Sequence, residues 1–191
     1  MARGVFWLCV RRRAVAPLGP GAATPADLRH MERALALARS AARRGEVPVG
    51  AVVYETSSGE ALAEASNTRD GARDPSGHAE FSAILAAARA RHDWRLNDCT
   101  LVVTLEPCAM CAGLIVNARV GRVVYGAADP RAGFVGSLGN VIDDRRLNHR
   151  VRAVSGVCGE RCSALLTSFF RTLRARNRRT AGRGDARTSR G

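Results

Sequence analysis

Two short segments, "HAE" at 78–80 and "PCAMC" at 107–111, constrain this 191-residue chain more than anything else in it. Each stands where a loop or strand gives way to an apolar run of helical character. A CxxC pair alone has three uses: a redox dithiol, half of a structural zinc site, or part of a catalytic zinc site. His78 adds an imidazole to the thiolates of Cys108 and Cys111, and nitrogen with sulfur is the donor set that zinc takes in tetrahedral geometry. Ligands so distant in sequence can share an ion only in a fold that brings the two junctions together.

Three protein ligands leave a fourth position, which a catalytic site keeps for water and a structural site fills with protein. A structural site would draw on Cys99, Cys158 or Cys162. The spacing of Cys158 and Cys162, i and i+4, is that of helix packing residues. The redox reading needs a thioredoxin-like context and leaves "HAE" unexplained. Pro107 suits the first position of a helix, which would put Cys108 and Cys111 on one face of its first turn, where the helix dipole favours thiolates. His78 and Glu80 are two apart and share no face of a regular helix, so they are expected at a helix start, ligand and carboxylate flanking one water. Zinc lowers the pKa of water it binds towards about 7. Glu80, unliganded, is then the general base that takes the water proton and later returns protons to a ring nitrogen and a leaving amine. The pattern H-x-E…P-C-x-x-C is the signature of zinc nucleobase deaminases, so hydrolytic deamination is the expected chemistry.

The pattern along the chain agrees with a single α/β domain. Thr24 caps a helix that opens on Pro25, carries Leu28, Met31, Leu35 and Ala38 at helical spacing, and ends at Gly45. "VPVGAVVYE" reads as a strand buried on both faces, and "EALAEASN" as its hairpin partner. "TRDGARDPSG" is a loop, "HAEFSAILAAARAR" a helix, "TLVVTLE" a strand, "CAMCAGLIVNAR" a helix and "GRVVYGA" a strand. A Gly-rich loop, a short strand in "HRVRAVSG" and a closing amphipathic helix from "CGERC" complete the order. The fold expected is α/β, a mixed central β-sheet of about five strands sandwiched by helices.

Charge divides the chain further. All 30 basic residues are arginine and the net charge is +13. Residues 1–26 hold four arginines and no acid, and residues 171–191 hold eight arginines and one acid, which leaves only +2 between them. We therefore expect a flexible basic leader at 1–24, a deaminase domain at 25–175 and a disordered basic tail at 176–191. Basic ends suit either solubilising tails or attraction to polyanions. No segment approaches the roughly 20 apolar residues that span a bilayer. "VFWLCV" is too short for a signal-peptide core. The acid-free start has the composition of a transit peptide and equally of a misassigned start; otherwise the expectation is a cytoplasmic protein, and six cysteines fit a reducing compartment.

Residues 27–175 resemble the bacterial tRNA adenosine deaminase family, within the cytidine deaminase-like class with its three-layer α/β/α fold. The segments "EVPVGAVV", "DPSGHAE", "TLEPCAMCAGLI", "GRVVYGA", "GSLGNV", "NHRV" and "CSALLTSFFR" follow the family's order. Cytosine, guanine and cytidylate deaminases share the zinc motifs but not the C-terminal half. The resemblance implies one zinc per chain, a tRNA anticodon loop as partner, a homodimer built through the helix after "PCAMC", and inosine made at the wobble position, with an ACG-anticodon arginine tRNA as substrate. A free base, guanine or cytosine, is the alternative substrate.

By the same resemblance Asn67 hydrogen-bonds the flipped base, Ala79 and Val49 wall the purine pocket, and Asp129 contacts the neighbouring ribose. Phe169, Phe170 and Arg171 belong to a C-terminal helix that meets the anticodon loop. Arg119, Arg122, Arg150, Arg152, Arg171 and Arg174 are expected phosphate contacts. On the residues alone, Asn67 is equally a turn former, Asp129 a cap, and the phenylalanines core.

Overall fold

A computed structural model describes residues 22–188, with side chains through residue 178. Residues 1–21, which include nearly all of the expected leader, and residues 189–191 lie outside the described residues.

Helix α1 (Pro25–Arg43) begins as the sequence predicts. Thr24 Oγ1 accepts from the Asp27 amide at 3.2 Å, and Asp27 Oδ2 accepts from the Thr24 amide at 2.6 Å, a reciprocal capping box. The hairpin β1 (Gly50–Glu55) and β2 (Ala61–Ser66) follows. The expected loop after it contains one helical turn, α2 (Arg69–Ala72). That turn forms because the buried Glu46 carboxylate accepts from the otherwise unpaired amides of Asp70 and Gly71. Then come α3 (Ala79–Arg91), β3 (Cys99–Leu105), α4 (Ala109–Asn117), β4 (Arg122–Ala127), β5 (Arg152–Val154) and α5 (Gly159–Thr188). Beyond residue 176 the backbone of α5 continues as helix to Thr188.

The five strands form one sheet in the order β2-β1-β3-β4-β5. β1 is antiparallel to β2 and β3, whereas β3, β4 and β5 run parallel. Successive side chains of a strand point to opposite faces, and here both faces are covered. Ala51, Val53, Leu101, Val103 and Val123 pack with Ala83, Ile84 and Ile115 beneath α3 and α4. Val52, Tyr54, Val102 and Val124 pack with Met31, Leu35 and Cys162 beneath α1 and α5. The three-layer mixed sheet expected from the continuous apolar runs is the fold observed.

Asp27, with no exposure, is also the polar tie across one end of the sheet. Its carboxylate receives Tyr54 Oη at 2.8 Å and both terminal nitrogens of Arg122, at 2.7 and 2.6 Å. Arg122 is therefore committed to the interior and is not a phosphate contact, a correction to the sequence expectation. Arg150 is likewise paired, with Asp143, and Arg119 reaches the Asn148 carbonyl.

Burial pushes the Asp27 carboxyl up, but the hydrogen bonds from Arg122, Thr24 and Tyr54 outweigh it and hold the group below its ordinary 3.8. A carboxylate so depressed contributes stability that is complete above its unfolded pKa and is lost as the pH falls through the folded value. Asp27→Asn is expected to cost about 3 kcal/mol near neutral pH, because it strands the Arg122 charge. That deficit should begin to shrink as the pH falls below about 4, where the unfolded carboxylate takes up a proton, and disappear once the pH passes through the lower folded value. Urea unfolding of both chains at pH 7 and at acid pH reads the cost and its sign.

Candidate active site

The two junctions marked by the sequence meet at one end of β3. His78 is the N-cap of α3 and Cys108 the N-cap of α4, both in extended conformation. Pro107 thus precedes the helix rather than opening it, and α4 starts at Ala109. The reason is a tertiary pairing: Cys108 is held extended by a bridge to Gly133, and the Phe134 amide donates to the Pro107 carbonyl at 2.9 Å.

His78 Nδ1 lies 3.6 Å from Cys108 Sγ and 3.5 Å from Cys111 Sγ. Zinc–nitrogen and zinc–sulfur bonds of about 2.0 and 2.3 Å at the tetrahedral angle set an N···S edge of roughly 3.6 Å. The donor set and its spacing therefore fit a zinc ion. The hydrogen bond from Cys111, helped by His78, holds the Cys108 thiol down, to about 4. The same hydrogen bond, with burial, pushes Cys111 up. His78, Cys108 and Cys111 would hold a divalent cation with both cysteines as thiolates, the ligating form. Among the described residues no other histidine, cysteine or acid joins the three, so the fourth position is open to water. Cys99 is a buried strand residue beside Arg91, and Cys162 packs on Met31, which removes both as structural ligands.

Glu80 sits at the second residue of α3 and is almost wholly buried. Burial pushes its carboxyl up, to about 7. With His78 and Cys108 it lines a cavity of about 190 Å³, whose walls also include Val47, Val49, Asn67, Arg69 and Asp129. Asn67 Nδ2 donates to Glu46 at 3.1 Å, which leaves its Oδ1 for another donor. Asp129 Oδ1 accepts from the amides of Arg131 and Ala132, so Asp129 both caps a turn and borders the cavity.

The remaining expected site residues are placed elsewhere. Ala79 is core beneath α3 and lines no part of the cavity. Phe169 faces a cleft beside Ala42 and Gly45 at the end of α1. It is Phe170 that turns toward Asp129, in a second cleft of about 390 Å³ with Pro130, Arg131, Leu166 and Arg174. Adjacent helical residues point about 100° apart, so only one of the pair can reach that side. Arg171 is exposed on α5 and borders neither cavity. Sequence reasoning missed Glu46, Glu106 and Arg69. The signal for the first two was an acid set directly against an apolar strand, Glu46 before "VPVGAVV" and Glu106 after "TLVVTL".

Fold and site together define a base deaminase of the cytidine deaminase-like class. The family model for MafB19-like deaminases matches residues 26–174. The tRNA-specific adenosine deaminase of Bacillus subtilis is 44% identical over 152 residues, covering 80% of this chain and 93% of the relative. That of Haemophilus influenzae is 41% identical over 148 residues, covering 78% and 85%. A solved structure from work on A-to-I editing by tRNA:A34 deaminases at the wobble position of transfer RNA has a TM-score of 0.69 at 38% identity, covering 72% of this chain and 99% of that one. A guanine deaminase from Nitrosomonas europaea, with a TM-score of 0.63 at 24% identity, covering 78% and 85%, shares the fold. The chain belongs to the family of tRNA-specific adenosine deaminases.

Proposed function

We propose that this protein is a zinc-dependent enzyme that hydrolyses adenosine to inosine at the wobble position of a tRNA anticodon loop, with an ACG-anticodon arginine tRNA as substrate. The observation that carries the reading is an unliganded, buried carboxylate, Glu80, in one cavity with the His78–Cys108–Cys111 donor set and the base-reading candidate Asn67. Zinc held by the three donors, one ion per chain, supplies a water acidic enough to lose a proton near neutral pH. Glu80 takes that proton as the water oxygen attacks C6 of the flipped adenine. It passes that proton to the ring N1, then takes the proton of the new C6 hydroxyl and hands it to the exocyclic amine, which leaves as ammonia as the C6–N6 bond breaks and the C6 carbonyl forms. Asn67 and Val49 hold the base, and Asp129 faces the neighbouring ribose.

A loop base is splayed out at little cost, which favours a single-stranded RNA substrate. The lining of the cavity supports this over a free base, because α5 contributes none of its described lining residues and so does not seal it. Instead the cavity meets the Phe170 cleft at Asp129, which offers an aromatic face and two arginines to the next nucleotide. A second copy of the chain is proposed to dock on α4, where Met110 is 38% exposed and Leu114 is half-buried. The basic segments flanking 25–175 add attraction to the phosphate backbone without reading sequence.

The test is an inosine assay. Purified protein is given the arginine tRNA in one reaction, and adenosine, adenine, guanine and cytosine in others. Inosine at the wobble position alone supports the reading; turnover of a free base with an untouched tRNA overturns it.

A further inference from the structure

Two buried carboxylates border the cavity region yet have no part in the chemistry above. Glu46 is 3% exposed and Glu106 2% exposed. Among the described residues neither forms an ion pair with an arginine or histidine side chain; most of their partners are backbone amides of the cavity walls. Glu46 accepts from Asn67 Nδ2 at 3.1 Å, Asp70 N at 3.2 Å and Gly71 N at 2.7 Å. Glu106 accepts from Asp129 N at 2.9 Å, Val135 N at 3.1 Å and Ser137 N at 2.9 Å, and from Ser137 Oγ.

Burying a carboxylate without a counter-charge is costly, and packing alone would be served better by an apolar residue. What a carboxylate offers is about four acceptor sites and no donor, so one side chain can gather several N–H groups at once. Each of the two gathers them from a different wall. Glu46 collects the turn that carries Asn67 and Arg69. Glu106 collects the loop that carries Asp129 and Ala132. These four residues line the same cavity as Glu80.

The loops are shaped for this contact. A methyl on Gly133 would stand 2.3 Å from the Glu106 carboxyl carbon, and one on Gly71 would stand 3.0 Å from Glu46 Oε1. Each wall thus lays its backbone directly on its carboxylate. The anchors also sit close in sequence to the working residues, Glu46 before Val47 and Val49, and Glu106 before Pro107 and Cys108.

We propose that Glu46 and Glu106 are positioning residues, a pair of buried clamps that set the separation of the two base-reading walls. This rests on the reading of the cavity as a base site. Glu46 lies outside the cavity lining and Glu106 within it, but the hydrogen bonds of both carboxylates go to the walls, so their effect reaches the substrate through Asn67 and Asp129.

The test uses the zinc-loaded full chain. In Glu106→Gln one face of the carboxylate becomes an amide donor that opposes the Asp129 or Val135 N–H. The expected result is a KM for the tRNA raised about tenfold or more, the scale of one lost charged hydrogen bond, with kcat within a few-fold and zinc content unchanged. In the Asp129→Ala background the same substitution should add little, because both act through one wall. Glu46→Gln should behave likewise, and its cost should vanish in Asn67→Ala. Ser137→Ala, which removes one hydroxyl donor and leaves the carboxylate paired, should move KM the same way by less and covers the case in which the glutamine variants fail to fold.

Amide hydrogen exchange provides a readout free of activity. Glu106→Gln should speed exchange at Asp129, Val135 and Ser137 and leave Asp70 and Gly71 protected; Glu46→Gln should do the reverse. Additive double variants, a loss carried by kcat alone, or exchange that rises across the whole sheet would each overturn the proposal. An unaltered protein that makes no inosine would retire the tRNA reading only, since exchange still decides whether the clamps exist.

Discussion

Glu80→Ala is expected to fold, to keep its zinc and to make inosine about 10²–10⁴ times more slowly, the range that a positioned general acid–base group contributes. The structure explains why so much rides on one side chain. Glu80 is a buried carboxylate in the cavity beside His78 and Cys108, and it is not one of the three clustered donors. Removing it leaves nothing in that position to take a proton from water or to deliver one to the leaving amine. Single-turnover rates with metal content measured on the same sample give the answer. A variant that retained full activity would refute the mechanism, and one that lost zinc as well would place Glu80 among the ligands instead. Glu80→Gln should be similarly slow, since an amide fills the space without moving a proton.

Cys108→Ala tests the other half of the site. About one zinc per chain is expected in the unaltered protein and close to none in the variant, with activity lost alongside. Two donors, His78 and Cys111, cannot hold in place an ion that needs at least three protein ligands to leave one position for water. The variant should also melt at a lower temperature than the zinc-loaded chain, because an ion that binds only the folded state stabilises it in proportion to its affinity. Chelation of the unaltered protein should reproduce that shift. Full metal retention after loss of Cys108 would overturn the ligand assignment.

Much of this was legible before any coordinates. The cap at Thr24 and the buried faces of "AVVY" and "LVV" follow from local rules, because spacing and polarity leave few alternatives, and the grouping of His78 with Cys108 and Cys111 follows from the H-x-E…P-C-x-x-C pattern. What escaped was decided by tertiary pairing. Pro107 looked like a first helical residue, yet the bridge between Cys108 and Gly133 kept the backbone extended for one residue more. Arg122 looked like a surface cation, and only the sheet brings it to Asp27, 95 positions away. Of the adjacent phenylalanines, periodicity could say that they diverge but not which would turn toward Asp129. Glu46 and Glu106 were visible as acids beside apolar strands, but their partners lie on loops whose course no local pattern fixes.

The arrangement of the cavity also separates two kinds of change during evolution. The groups proposed to perform the reaction stand at the N-caps and in the first turns of α3 and α4, rooted in the buried core. The groups that judge which ring enters stand on irregular segments between elements, where insertion and replacement are cheap. A scaffold so divided can exchange one amino-substituted heterocycle for another by redrawing the rim, without disturbing the buried carboxylate or the three donors.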